Sequence, residues 1–279
     1  MGALLALASS LAWGCADFAG GLAARRVGTL RVITTSYPAG ALLLTVIALT
    51  LVPGTIDAEV LAWSAGVGIV GIIAMFMLYG ALVEGPMGIV SPLTALGGAA
   101  VPVAVGLARG EALTLLVGLG MALAVVAVIL VSREPGPHRS VTRRALLLSA
   151  GAGLFIGLYL TGLGIAPASS GIWVTTLGRW LASGIVLIIA IAVTARAGRH
   201  TWSPYPWALA IGSGLLDSMA NGLFQLAAQQ AELVVVAVIG ALYPAATLML
   251  AHWLLHERLS RAQALGVALA LAAAVSLSI

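Results

Sequence analysis

The 279-residue chain contains no lysine: all 13 of its basic residues are arginine. It is also short of charge of either sign. Only 8% of its residues are Asp, Glu, Lys or Arg, against about 25% in a soluble globular domain. A formal net charge of +4, spread over separate short clusters, does not make the basic surface that a nucleic-acid partner requires. The single Cys15 excludes an intrachain disulfide. There is no G-x-x-x-x-G-K-[ST] phosphate loop, so nucleotide-driven work by this chain is not expected. His252 and His256 stand four apart with no H-E-x-x-H and no third ligand, so neither a metal nor any other cofactor is expected. Neither a nucleophile elbow nor a pair of catalytic carboxylates at motif spacing is present. No basic stretch precedes the apolar residues 1–14, which therefore read as the start of a membrane span rather than as a signal peptide.

What is there is apolar. The chain is 61% hydrophobic, has a mean hydropathy of +1.13 and contains 34 glycines, as expected where membrane helices pack closely. This composition predicts an all-α polytopic membrane protein. Breaks between apolar runs place ten spans at 3–24, 31–52, 61–83, 87–108, 113–132, 145–166, 171–196, 206–229, 233–255 and 261–278.

The two halves resemble one another. Gly120–Ser132 lies over Gly266–Ser278 at a shift of 146, and the same shift puts Glu111-Ala-Leu-Thr114 on Glu257-Arg-Leu-Ser260. Residues 1–132 and 145–279 then read as two five-helix repeats joined by a polar linker, 133–144. Five is odd, so the second repeat enters the membrane in the opposite sense, making an inverted repeat. The loops after spans 1, 5, 7 and 9 hold 11 of the arginines, and the opposite face holds only Arg109 beside Asp57, Glu59, Glu111 and Glu232. The Arg-rich loops are therefore expected in the cytoplasm, with both termini outside, for a multi-pass protein of the cytoplasmic (inner) membrane.

Chemistry is sparse and concentrated. In span 8, Ser213, Asp217, Asn221, Gln225 and Gln229 recur at every fourth position, which puts neighbours on one face. Each step of four overshoots a turn by about 40°, so the row winds around the helix. Three ionisable groups lie inside spans: Asp17, Arg179 and Asp217. Each costs at least about 2.5–3.5 kcal/mol at mid-membrane and so needs a partner or a role. An ion pair of Arg179 with Asp217 or Asp17 and direct contact with a substrate are both open, and either carboxylate is a candidate for proton coupling. Asn221 and Gln225 are the cavity candidates among the amides, with interhelical bonding as the plainer alternative. Tyr37, Trp180 and Tyr243 lie deeper than the remaining aromatics, as faces for an apolar or cationic metabolite. Pro92 and Pro102 in span 4 and Pro244 in span 9 are expected to break their helices, and Ser91-Pro92 and Tyr243-Pro244 are candidate substrate sites by that rule.

Trp13-Gly14-Cys-Ala-Asp17-Phe18-Ala-Gly20-Gly21-Leu-Ala-Ala-Arg25-Arg26 resembles the opening of an EamA-type member of the drug/metabolite transporter superfamily. Gly214-Leu-Leu-Asp217, Leu242-Tyr243-Pro244 and His256-Glu257-Arg258-Leu259 resemble parts of its second repeat, and Gly85-Pro86-Met-Gly-Ile-Val90-Ser91-Pro92 and Gly110-Glu111 parts of its first. The resemblance implies two five-helix repeats, a central cavity built from the first four helices of each, and peripheral fifth helices. It also implies transport of small metabolites. Members often carry an Arg in the second helix of each repeat; here Arg179 holds that place in one and Tyr37 in the other. Well-described members also have cytoplasmic termini, the opposite of what the arginine asymmetry predicts here.

The function expected is a secondary transporter, an exporter of small organic metabolites such as amino acids, with protons as the candidate coupling ion and the lipid bilayer as its surroundings. An intramembrane lipid-modifying enzyme and a non-transporting membrane subunit are the alternatives. Oligomeric state is left open.

Overall fold

The computed structural model describes residues 1–84, 87–133, 142–197, 204–255 and 259–278. Among them are eleven α-helices and a 3-10 turn at Ala168–Ser170. The helices are α1 (Gly2–Val27), α2 (Thr29–Thr50), α3 (Ala58–Glu84), α4 (Met87–Ala108), α5 (Leu115–Val131) and α6 (Arg143–Ile165). They continue with α7 (Trp173–Ala197), α8 (Pro204–Ala228), α9 (Leu233–Gly240), α10 (Tyr243–Leu255) and α11 (Arg261–Ser278). They make the ten predicted spans, with α9 and α10 as two pieces of the ninth.

Local chemistry accounts for the ends. Side chains that accept backbone N–H bonds begin several helices: Asp57 from Val60 (2.8 Å), Thr114 from Val117 (3.2 Å) and Thr142 from Ala145 (3.0 Å). Ser260 and Gln263 form a reciprocal capping box at the start of α11. Gly28 alone separates α1 from α2, at φ 81 and ψ 151, a conformation only glycine adopts at no steric cost.

Six stretches are long and apolar enough to cross a membrane by length and composition, lying in α1, α2, α3, α6, α7 and the α9–α10 pair. The apolar runs in α4, α5 and α11 are shorter. α8 is in neither set, because Asp217, Asn221 and Gln225 lower its hydropathy. Large apolar side chains such as Leu49, Ile73, Leu147, Ile188, Leu271 and Val275 point outward, where hydrocarbon is the solvent they suit.

The halves interlock rather than sit side by side. α1 packs along α8 and α6 along α3; α2 packs on α8 and α7 on α3; α4 packs on α6, and α9–α10 on α1. α2 also meets α7, and α5 pairs with α11. Exchanging α1–α5 for α6–α11 maps this set of contacts onto itself, the pattern of a twofold-related repeat. Small residues let the backbones approach: Gly68 faces Gly178, Gly97 faces Gly153, and Gly40 sits against Ser218 and Gly214. Hydroxyls pin the same seams, as where Ser9 donates to the Ala220 carbonyl (2.7 Å) and Ser213 to that of Ala16 (2.9 Å). The polar linker expected at 133–144 lies mostly outside the described residues.

The helix breaks differ from expectation. α4 runs unbroken through positions 92 and 102, and α2 likewise through Pro38. A membrane helix tolerates proline where neighbouring helices and local adjustments satisfy the freed backbone groups. Among the described residues only the second half is interrupted, at Ala241–Leu242. Pro244 is the second residue of α10, where its missing N–H has no helical acceptor to lose.

Candidate functional site

α7 begins after a tight turn: Ser170 and Gly171 close it, and Gly171 takes φ 55. One turn on, Gly178 lies against the backbone of Ser64 and Gly68. That close approach brings α7 onto α3 and turns the next residue, Arg179, inward, where it is 7% exposed.

A buried guanidinium needs compensation, and two helices supply it. Asp217 of α8 forms a hydrogen-bonded ion pair with it. The ring of Tyr37 from α2 lies beneath it, with the guanidinium carbon 4.4 Å from the ring centroid. Asn221, one turn beyond Asp217, donates through Nδ2 to the Asp217 backbone carbonyl (2.6 Å). The Asp217 side chain keeps 26% of its surface, and that surface borders a central cavity.

The cavity and the open space at its mouth together hold about 1030 Å³, and every span except α5 and α11 contributes to the wall. Asp17, Trp13, Tyr37, Tyr159, Arg179, Asp217, Asn221 and Tyr243 line it, among alanines, glycines and aliphatic side chains. Asp17 is open to this space. It makes no hydrogen bond or ion pair among the described residues, and it lies within electrostatic range of Asp217 and Tyr243. Tyr243 follows directly on the helix break, at the first position of α10. Trp13 packs at 5.6 Å, tilted by 43°, on Phe224. A Cβ at Gly240 would stand 3.3 Å from the Trp13 ring, so the glycine makes room for the indole.

Thus Asp17, Tyr37, Arg179, Asp217, Asn221 and Tyr243 meet in one place, and Trp180 and Gln225 do not join them. Trp180 points outward, 40% exposed, and its Nε1 donates to Thr45 Oγ1 (2.9 Å). One residue along a helix is a rotation of about 100°, so Arg179 and Trp180 cannot both face the cavity. Gln225 is fully buried behind the wall. Its Oε1 accepts from the Thr175 backbone N–H (3.2 Å) and hydroxyl (2.5 Å), and its Nε2 donates to Ser170 Oγ (3.2 Å). Gln229 donates to the Gly171 carbonyl (3.0 Å), so these two amides tie α8 to the entry of α7. The side chains of Ser91 and Pro92 lie outside those described, and Pro102 and Pro244 lie outside the lining.

Trp13 and Tyr159 also line the cavity, although the sequence singles out only Tyr37, Trp180 and Tyr243 as deep aromatics. The signal for Trp13 was its place four residues before Asp17, on the same helix face. Glu111 had a structural task that its sequence position did not reveal. Both of its carboxylate oxygens accept from the start of α9, Leu233 N–H (2.9 Å) and Val234 N–H (2.8 Å). That satisfies two of the open donors of the half-helix and complements its dipole.

The described residues contain no group of three potential metal ligands. The wall offers charge, aromatic faces and hydrogen-bonding groups around a space large enough for a small organic molecule.

A ten-span bundle of two interlocked halves, enclosing such a cavity, has the architecture of a membrane transporter. The EamA-like transporter family matches residues 143–279, the whole of the second half, and the protein is an EamA-type member of the drug/metabolite transporter superfamily. A solved structure described only as "Crystal structure of protein" is similar over 99% of this chain and 95% of its own, with a TM-score of 0.78 and 14% identity. That likeness concerns the fold alone. No curated protein matches the sequence.

Proposed function

We propose that the protein is a secondary transporter that carries small organic metabolites, such as amino acids, out of the cell by alternating access around the cavity, in exchange for protons. The observation that carries this reading is the Arg179–Asp217 pair in the cavity wall, with the unpaired Asp17 nearby. A buried pair whose acid keeps access to the cavity can open when a substrate or proton competes for one member. If substrate and proton compete for the same carboxylates, inward flow of one drives outward flow of the other. The two halves, each crossing the contacts of the other, supply the parts that rock against one another. The membrane is the cytoplasmic (inner) one, and the Arg-rich loops face the cytoplasm.

The test is flux in proteoliposomes. Radiolabelled amino acids should accumulate when a pH gradient is imposed and not when an ionophore collapses it, and Asp217→Asn should abolish the gradient-driven part. Gradient-independent leakage at the rate of empty vesicles would refute the reading, and a chemically altered product without net transport would point to an enzyme instead.

A further inference from the structure

The charge of the cavity wall narrows what it accepts. Its lining contains three formally charged side chains: Asp17, Arg179 and Asp217. Arg179 is already engaged, by Asp217 in an ion pair and by the Tyr37 ring beneath it. The pair cancels, and Asp17, once it has given up its proton, leaves one negative charge facing the space that no other lining side chain among the described residues offsets. The ends of two half-helices also meet there, the C-terminus of α9 and the N-terminus of α10. Their partial charges are opposite in sign and offset each other, so they do not neutralise Asp17.

The surroundings of Asp17 are those of an amine site. Trp13 stands one turn before it on the same face of α1, and both line the cavity. Tyr243 lies within its electrostatic range. An ammonium beside the carboxylate would sit among aromatic rings, whose faces attract cations, and the apolar body of the ligand would lie along Trp13 and the aliphatic wall. A carboxylate on the ligand finds no such place: it must displace Asp217 from Arg179, and it meets two like charges on the way.

We infer that the cavity selects organic cations, with Asp17 taking the ammonium group and Trp13 the apolar body. Amines without a free carboxylate are therefore bound ahead of zwitterions, and zwitterions ahead of anions. This rests on the transporter reading above and specifies the substrate class of the same site.

The experiment is a charge series on one body: 2-phenylethylamine, L-phenylalanine and 3-phenylpropionate, titrated calorimetrically into the purified protein in nanodiscs at neutral pH. The amine should bind tightest and the anion weakest. Asp17→Asn should weaken the amine about tenfold, the scale of one lost charge-assisted contact, and should not weaken 3-phenylpropionate, which has no ammonium group. Asp17→Glu keeps the charge and should keep the ranking, which guards against a variant that merely misfolds. Trp13→Ala should weaken all three without reordering them. Equal affinities, an inverted order, no binding of any of the three, or an amine affinity indifferent to Asp17→Asn overturns the inference. The two readings fail separately. Amine binding that depends on Asp17, without flux of any ligand in proteoliposomes, sinks the transporter and leaves the cation site. Gradient-driven flux of L-phenylalanine with no amine preference does the reverse.

Discussion

Replacing Asp217 by Asn removes the counter-charge of Arg179 while changing little in size. Leaving one member of a fully buried ion pair alone costs about 3–5 kcal/mol. Two features of this site lower that figure. The Asp217 side chain keeps 26% of its surface towards the cavity, and the Asn carboxamide still accepts one hydrogen bond from the guanidinium. The Tyr37 ring stays beneath Arg179 and retains a cation–π contribution. A loss of about 2–3 kcal/mol is therefore expected, enough to lower the melting midpoint but not to prevent folding. The double variant Arg179→Met with Asp217→Leu removes both charges and leaves apolar groups of similar bulk. It should recover to within about 1 kcal/mol of the parent, because the desolvation penalty vanishes with the pair. Both variants should lose gradient-driven transport. Unfolding followed by far-UV circular dichroism in one detergent, beside flux in proteoliposomes, measures both outcomes. An Asp217→Asn protein with parental stability, or a double variant as destabilised as its two single changes summed, would refute the argument that the pair is a coupled buried unit. Full transport by Asp217→Asn would refute its place in the working cycle.

Three further outcomes follow from the packing. Gln225→Leu strands the Thr175 and Ser170 groups that the amide now satisfies, so it should cost about 1–3 kcal/mol in the same melts while ligand affinity stays near parental. Gly40→Ala places a Cβ 1.8 Å from Ser218 Oγ and 2.6 Å from the Gly214 carbonyl oxygen, which forces α2 off α8 at about 1–3 kcal/mol. Gly21→Ala meets nothing within 4 Å and should be neutral or stabilising, so equal effects in thermal melts would contradict the close-packed seam. On a Cys15→Ala background, Ile56→Cys should react with a membrane-impermeant maleimide in intact cells, and Arg133→Cys only after permeabilisation. The reverse pattern would overturn the orientation drawn from the arginines.

Much of the architecture was legible because the bilayer imposes it. A chain with 8% charge must satisfy its backbone internally, so helices of membrane length follow from composition, and polar breaks mark their ends. The caps at Thr114, Thr142 and Ser260-x-x-Gln263 involve only neighbours three residues apart in the chain. The scarcity of intramembrane charge likewise singled out Asp17, Arg179 and Asp217 before any packing was known.

Which residues share a space was not legible, because that depends on what each helix face meets. The polar row of α8 is regular in sequence, yet its winding hands its members to several different neighbours. Ser213 goes to α1, Asp217 to Arg179 of α7, and Gln225 and Gln229 to the turn that opens α7. Arg179 faces the cavity and Trp180 faces away, a choice made by the approach of Gly178 to Gly68. The prolines of α4 and the Tyr243-Pro244 step look alike in sequence, and only the second sits at a break. Composition and periodicity determined that this chain crosses the membrane ten times and where its charges are scarce. Tertiary packing decided which of those polar groups face one another across a cavity, because a side chain's partner is set by the neighbouring helix and not by its own.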